Sequence, residues 1–145
     1  MKKIKIDDLI AKKNREKIVM ITAYDALFAR LFDEFADMIL IGDSLNMSFG
    51  GSSETLGISV DEMIYHTKAV QRATKRAFLV VDMPFGSVIT PKIALKNAVK
   101  IYKNTFCDAI KIEGGKEMAD TIKLLNQNGI AVIAHIGLKP QLSRQ

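Results

Sequence analysis

Three carboxylates follow short apolar runs of the sequence, and their spacing suggests chemistry. Asp82 and Glu113 each come directly after such a run, Asp43 comes one residue after another, and Lys111 lies within the run before Glu113. If the runs are neighbouring parallel strands, about 4.8 Å apart, the three side chains can converge on one ion. Oxygen ligands favour Mg²⁺ or another hard cation. Lys111 adds a positive charge suited to an anionic substrate.

Each of these residues also has a purely structural interpretation. A single Asp or Glu after a strand often only forms a turn or caps a helix, but three in register favour a functional site. His135 ends a fifth apolar run and is equally consistent with a packed polar residue and a site residue. His66 and Cys107 are expected to be structural. The pair Gly114 and Gly115 is only a weak signal for a phosphate-binding turn.

The elements that must position these residues alternate between strands and helices. Apolar runs predict strands at 18–22, 38–41, 77–81, 107–112 and 130–134. Helical spacing predicts a helix over 26–35 capped by Asp25, and a second from Ser59, with Glu62 completing a capping box, to about residue 75. Thr90 and Pro91 open a third helix, and a fourth over 117–128 is closed by Gly129. The polar segment 42–58 is predicted to be a long loop, either a lid or a surface excursion.

Near-continuous apolar strands separated by helices indicate a parallel sheet buried on both faces. Two architectures remain open from the pattern alone, a doubly wound sheet and a (β/α)8 barrel. Both bind ligands at the carboxyl ends of their strands, which is where the three carboxylates are expected.

Composition excludes several classes of protein. The chain has 145 residues, of which 48% are hydrophobic and 26% charged, as in a soluble globular domain or part of one. It contains no apolar run long enough to cross a bilayer and no signal-peptide pattern, so a cytoplasmic location is expected. One cysteine excludes an internal disulfide framework.

The positive charge is concentrated at the start of the chain, where residues 1–17 carry +4 of the net charge of +5. The same segment has the pattern of an amphipathic helix, with Ile6, Leu9 and Ile10 on one side. This distribution argues against a nucleic-acid protein.

Six ordered motifs identify a family that the chain resembles. They are TAYD at 22–25, GDSL at 42–45, YHT at 65–67, DMPF at 82–85, KIEGG at 111–115 and HIGL at 135–138. In this order they resemble the ketopantoate hydroxymethyltransferase family, also called 3-methyl-2-oxobutanoate hydroxymethyltransferase. The resemblance implies an α/β fold, the N-terminal portion of a (β/α)8 TIM barrel with about five parallel strands alternating with helices. Residues 1–145 would then form a single incomplete barrel domain whose C-terminal half is missing.

The resemblance also implies a reaction, the first step of pantothenate biosynthesis. A hydroxymethyl group passes from 5,10-methylenetetrahydrofolate to 3-methyl-2-oxobutanoate and gives 2-dehydropantoate, through an enolate stabilised by Mg²⁺. By motif, Asp43, Asp82 and Glu113 correspond to the metal site, and Asp43, Ser44, Asp82 and Lys111 to the substrate site. His135 corresponds to a position lining that site. The general base of the family, a Glu, lies beyond the end of this chain, and the family commonly assembles as decamers.

Other hypotheses stay open at this stage. Asn46 replaces a family Gly, a change that a residue tolerant of left-handed backbone should accommodate. A related metal-dependent lyase or mutase acting on 2-oxo acids would use the same carboxylates. A half-barrel could also bind metal, keto acid or a partner chain without turnover, as the missing base favours. A nucleic-acid module is disfavoured by the charge distribution.

Overall fold

The computed structural model describes residues 2–142 and 144, which form one sheet with helices. The strands are β1 (Met20–Thr22), β2 (Met38–Ile41), β3 (Phe78–Asp82), β4 (Ala109–Glu113) and β5 (Val132–His135). The helices are α1 (Ile6–Ala11), α2 (Ala26–Phe32), α3 (Leu45–Ser48), α4 (Val60–Ala73), α5 (Pro91–Asn104) and α6 (Ala119–Gln127). Short 3₁₀ turns cover Lys116–Met118 and Pro140–Leu142. No helix in this part of the chain is long and apolar enough to span a membrane.

The order of the strands distinguishes between the two architectures that the sequence left open. The sheet runs β1-β2-β3-β4-β5, and every neighbouring pair is parallel. A doubly wound sheet reverses its strand order partway across, whereas a (β/α)8 barrel adds each strand beside the previous one. The fold is therefore the N-terminal portion of a (β/α)8 barrel, as predicted.

Both faces of the sheet are apolar, but one packs against the larger helices and the other against α1. Alternate strand residues such as Ile39, Val81 and Ile110 form the larger core with the helices. The intervening residues, Val80 among them, form a smaller cluster on the opposite face with Leu9 of α1. Because side chains alternate along a strand, Asp82 falls on the same face as Val80. The candidate site is therefore an extension of the face opposite the larger helices.

The last three strands end later than the sequence predicted. Residues 107 and 108, and likewise 130 and 131, precede the paired residues, so β4 and β5 each start two residues further on. The ladders then continue through Asp82, Glu113 and His135, which are the last residues of their strands and not the first residues of loops. Their position is fixed by strand pairing, which holds these side chains more rigidly than a turn does.

Three of the four predicted helix starts are confirmed by side-chain caps, whereas the helix predicted over 117–128 spans Ala119–Gln127 and has no side-chain cap. Asp25 accepts a hydrogen bond from the backbone N–H of Phe28, and Thr90 from that of Ile93. Ser59 and Glu62 form the predicted capping box. The helix ends were less well predicted, since α2 stops at Phe32 and α4 at Ala73. The predicted loop 42–58 also contains α3, a single helical turn.

Helix α1 corrects part of the prediction for the N-terminal segment. Of the three apolar residues predicted to share one buried side, only Leu9 is buried, while Ile6 and Ile10 are exposed. Lys3 explains how the segment is attached, because its Nζ donates to the carbonyl of Ala77 at 2.6 Å and pairs with Asp108 at 2.7 Å. The segment lies against the N-terminal ends of the strands, opposite the candidate site.

Aspartates also lie near the N-terminal ends of the strands, where they accept hydrogen bonds from backbone N–H groups. Asp33 is buried and accepts four hydrogen bonds of 2.7–3.1 Å from the N–H groups of Lys75, Arg76 and Ala77. Asp108 accepts one from Leu79 at 2.7 Å. Acidic residues at this end of the sheet therefore stabilise the fold, which distinguishes them from those at the carboxyl ends.

Cys107 gives a first testable prediction. Its thiol is buried, as the sequence suggested, and burial raises its pKa to about 11. Since only the thiolate reacts, and each unit of pKa changes its fraction tenfold, the native thiol should be roughly a hundredfold less reactive at pH 8 than an exposed one. We expect iodoacetamide to alkylate the native chain at least about a hundredfold more slowly than the chain in urea. Equal rates in the two states would contradict the buried placement of Cys107.

Candidate active site

Strand register brings the predicted site residues together in pairs. Asp82 of β3 lies opposite Lys111 of β4, and Glu113 of β4 lies opposite His135 of β5. Asp43 follows directly after Gly42 at the end of β2. The carboxyl ends of four consecutive strands therefore carry all the charged residues that the sequence singled out.

Asp82 and Lys111 form the buried centre of this group. Oδ1 of Asp82 lies 2.8 Å from Nζ of Lys111, and the two side chains are only 5% and 14% exposed. Oδ2 of Asp82 accepts a hydrogen bond of 3.1 Å from the backbone N–H of Asp43. Burial raises the pKa of Asp82 to about 6, although the charge of Lys111 opposes the shift. Lys111 therefore holds Oδ1 of Asp82, and the backbone of Asp43 holds Oδ2.

Asp43 is buried beside a second carboxylate. Burial raises its pKa, and the negative charge of Glu113 acts in the same direction. The side-chain amide of Gln141 opposes this shift, because its Nε2 donates to Oδ2 of Asp43 at 2.7 Å. Asp43 is thus held by an uncharged donor rather than by a cation.

Gly42 makes the close approach of these groups possible. A Cβ at this position would lie 2.9 Å from Oγ of Ser44 and 3.5 Å from Oδ2 of Asp82. Any larger residue would therefore push Ser44 away from its observed position. The glycine of the GDSL motif is explained by space and not by an unusual backbone angle.

Glu113 has two neighbours from the C-terminal part of the described chain. Its Oε1 lies 3.4 Å from Nδ1 of His135, and its Oε2 accepts a hydrogen bond of 3.2 Å from the backbone N–H of Gln141. The adjacent Gly114 and Gly115 do not form an open phosphate-binding turn. The N–H of Gly115 donates to Oε1 of Glu117 at 2.8 Å, and that of Gly114 donates to the carbonyl of His135.

Ser44 belongs to a second, less charged part of the site. Its Oγ lies 2.8 Å from the hydroxyl of Tyr24, and either oxygen can donate. The carbonyl of Tyr24 lies 2.7 Å from Nδ1 of His66, and Phe49 packs edge-on against both the Tyr24 and His66 rings. The structure therefore gives His66 the structural role predicted for it. It also adds Tyr24, which lies in the TAYD motif but was assigned no role from the sequence.

The donor chemistry of the cluster fits a divalent cation, although the side chains are engaged elsewhere. Three buried or nearly buried carboxylates, of Asp43, Asp82 and Glu113, face the single cationic group of Lys111. Within residues 2–142 and 144, no group of three or more His, Cys, Asp or Glu side chains stands arranged to hold a metal ion. The excess negative charge and the carboxylate oxygens that carry it match a hard cation. The metal role of these three residues stays a prediction.

An open cleft of about 290 Å³ adjoins Glu113 and gives the cluster an apolar neighbour. Its walls include Phe85, Ile89 and Met118 as well as Gln141. A larger hollow of about 650 Å³ lies on the other side of segment 137–142 and touches none of the strand-end carboxylates. We regard the smaller cleft as the relevant one, because it shares Glu113 with the charged cluster.

Comparison with known proteins gives one family. The profile of the ketopantoate hydroxymethyltransferase family matches residues 3–145. The 3-methyl-2-oxobutanoate hydroxymethyltransferase of Campylobacter fetus subsp. fetus is 78% identical over 144 residues, which are 99% of this chain and 54% of the relative. The enzyme of that name from Wolinella succinogenes is 59% identical over 144 residues, 99% of this chain and 55% of the relative. The chain therefore spans about half the length of the curated relatives it matches.

Solved structures resemble the chain in fold. A 2,3-dimethylmalate lyase of the PEP mutase/isocitrate lyase superfamily superposes with a TM-score of 0.64 at 17% identity, covering 92% of this chain and 54% of the lyase. The phosphoenolpyruvate phosphomutase of Streptomyces platensis subsp. rosaceus gives 0.67 at 17% identity, covering 87% and 51%. At such identities the likeness shows the fold alone, and it agrees with the sequential parallel sheet.

Proposed function

The chain belongs to the ketopantoate hydroxymethyltransferase family, and we propose that it carries the metal- and keto-acid-binding part of that family's site. The reaction proposed is hydroxymethyl transfer from 5,10-methylenetetrahydrofolate to 3-methyl-2-oxobutanoate, giving 2-dehydropantoate. Assembly into a homo-oligomer and a cytoplasmic location are further proposals, which rest on the family resemblance and on the sequence pattern.

The buried pair of Asp82 and Lys111 is the observation that supports this proposal most strongly. A buried ion pair adds little to stability compared with apolar residues of the same size, so its presence at strand ends favours a functional explanation. Asp43 and Glu113 stand close enough for their charges to interact. Such a concentration of like charges opposes folding unless a ligand compensates it, which is typical of binding sites.

The residues that would hold a divalent cation are Asp43 and Asp82, with Glu113 acting directly or through water. When bound there, Mg²⁺ supplies Lewis-acid polarisation of the carbonyl group of a 2-oxo acid. The side chains of the chain itself do the remaining work of binding. Lys111 attracts the anionic substrate, and the apolar cleft beside Glu113 offers room for an aliphatic side chain.

Ser44 is proposed to orient the substrate. Because its hydroxyl is already fixed by Tyr24 at 2.8 Å, it can present a hydrogen bond to a carboxylate without first losing rotational freedom. His135 contacts Glu113 at 3.4 Å and helps set the position of that carboxylate. Removal of the substrate's C3 proton is assigned, by family resemblance, to a Glu outside the residues of this chain.

A second candidate function is binding without turnover. The chain spans about half the length of its curated relatives, and the residues described here include no assigned proton acceptor. In that case the half-barrel binds the cation and the keto acid but completes no transfer.

Proton exchange distinguishes the two candidates. We expect the purified chain, with Mg²⁺ and 3-methyl-2-oxobutanoate in D₂O, to exchange the C3 proton if the described residues suffice to enolise the substrate. NMR follows the loss of the C3 signal, and Asp82→Ala is expected to abolish any exchange above the buffer rate because it removes a proposed ligand.

The outcomes separate cleanly. Exchange that depends on Asp82 supports the enolisation site. A folded chain that binds the keto acid without exchange supports binding without turnover. A chain that neither binds nor exchanges the keto acid contradicts both candidates.

A further inference from the structure

Gln141 occupies the space between two of the proposed metal ligands. Its side-chain Nε2 donates to Oδ2 of Asp43 at 2.7 Å and to the carbonyl of Met83 at 2.9 Å. Its backbone N–H donates to Oε2 of Glu113 at 3.2 Å. One residue thus satisfies carboxylates from the ends of two different strands, β2 and β4.

An amide N–H and a cation compete for the same oxygen. The lone pair of Oδ2 of Asp43 that accepts from Gln141 is not open to a cation while the amide is in place. The amide carries only a partial positive charge, so it offsets the repulsion between Asp43 and Glu113 less fully than a divalent cation does.

We propose that Gln141 is an internal stand-in for the cation, one that holds Asp43 and Glu113 in the cation-free chain and must leave Asp43 when a divalent cation binds. This inference rests on the proposed function, since it takes Asp43 and Glu113 as part of the cation site. It assigns Gln141 a role in setting the affinity of that site, as a positioning residue and not as a catalytic one.

The surroundings of residues 137–142, the segment that carries Gln141, leave room for it to move away from the carboxylates. Residues 137–142 separate the cleft beside Glu113 from the larger hollow, so the segment has open space on both sides. Ile136 and Leu138 are 74% and 87% exposed, and no core packing fixes them. Two ion pairs also attach this part of the chain, that of Lys139 with Glu117 at 3.6 Å and, just beyond the segment, that of Arg144 with Glu54 in the loop 42–58. Neither pair involves the strand-end carboxylates, so the hydrogen bonds of Gln141 are those that hold the segment over them.

Metal affinity tests the proposal directly. Mn²⁺ binding, followed by the loss of the free-ion EPR signal, is compared for the unchanged chain, Gln141→Ala and Gln127→Ala. Gln127 is an exposed glutamine at the end of α6 and controls for the loss of an amide as such. Because the amide's hydrogen bond to a charged oxygen no longer has to break, we expect Gln141→Ala to bind Mn²⁺ about tenfold more tightly. Gln127→Ala should bind as the unchanged chain does.

A second measurement follows the side chain of Gln141 in the unchanged sequence while Mg²⁺ binds. The side-chain amide of Gln141 gives its own ¹H–¹⁵N resonances, which can be assigned with a chain carrying ¹⁵N-labelled glutamine and by mutation. With Mg²⁺ at saturation, these resonances should move to the positions of a solvated amide such as that of Gln127. Resonances that stay in place while Mg²⁺ binds overturn the proposal.

The outcomes also keep this inference apart from the proposed function. Mn²⁺ binding that is lost in Asp82→Ala but unchanged or weaker in Gln141→Ala overturns the stand-in role and leaves the metal site intact. Absence of Mn²⁺ binding in every variant overturns both the stand-in role and the cation site of the proposed function. Tighter binding by Gln141→Ala alone supports the proposal.

Discussion

Replacing Lys111 with Met is expected to lower the free energy of unfolding by about 3–5 kcal/mol, the usual loss when one member of a buried ion pair is removed. The side chain of Asp82 is only 5% exposed, so little water can reach its carboxylate to replace the lysine. The neighbouring charge of Asp43 adds to the instability of an unpaired Asp82. Urea titration followed by circular dichroism measures the change.

Two further variants identify the cause of the loss. The double variant Lys111→Met with Asp82→Asn should recover most of the lost stability, because it leaves no buried charge unpaired. It should nevertheless bind no Mn²⁺ and exchange no C3 proton, since a proposed ligand is gone. Lys100→Met breaks an exposed pair with Asp61 and should cost less than about 1 kcal/mol. A double variant as unstable as the single one would show that Lys111 contributes by packing and not by its charge.

Asp33→Ala should destabilise the fold by a similar amount, about 3–5 kcal/mol, for a different reason. The variant leaves the backbone N–H groups of Lys75, Arg76 and Ala77 without the acceptor they share, and of these residues Ala77 is buried and Arg76 half-buried. Hydrogen bonds to a charged acceptor contribute about 1.5–3 kcal/mol each, and the loss of several is only partly additive. The same urea titration measures this change.

The neighbouring residue supplies the control for this prediction. Glu34 is exposed and follows Asp33 directly, so Glu34→Ala removes a carboxylate from the same turn without removing an acceptor. Its effect should stay within about 0.5 kcal/mol, as for surface substitutions in general. Asp33→Asn keeps one acceptor oxygen and should fall between the two. If Asp33→Ala and Glu34→Ala have equal effects, the four hydrogen bonds do not stabilise the segment that leads into β3.

Local signals in the sequence were sufficient for much of the fold. Ser59 with Glu62, Thr90 with Pro91, and Gly129 each have a structural role determined by residues within three positions along the chain, and all three were predicted. The carboxylates at the strand ends were also found, because the apolar runs predict where the strands lie and therefore where they end. Which residues face one another across the sheet was set by register, which a single sequence does not contain.

Contacts between distant segments account for what was missed. Asp33 bonds to residues more than 40 positions away, so it was predicted only as part of a longer helix. Gln141 reaches Asp43 across 98 positions and lies in a segment with no strong secondary-structure signal. Tyr24 was visible within a motif, but its contact with Ser44 depends on how β1 and β2 are placed.

The N-terminal ends of the strands carry the anchoring residues Asp33 and Asp108, and the carboxyl ends carry the candidate site. This separation bears on how substitutions at the two ends combine. Along β3, Phe78 near the Asp33 and Asp108 anchors and Asp82 in the site are four residues apart, which is roughly 13 Å in an extended strand. Substitutions that far apart usually combine without influencing each other. Substitutions at the carboxyl ends and stabilising changes at the opposite end should therefore have nearly additive effects on the free energy of unfolding. A change of site chemistry that costs stability can thus be offset at the other end of the sheet without altering the site again, which favours divergence of function on one scaffold.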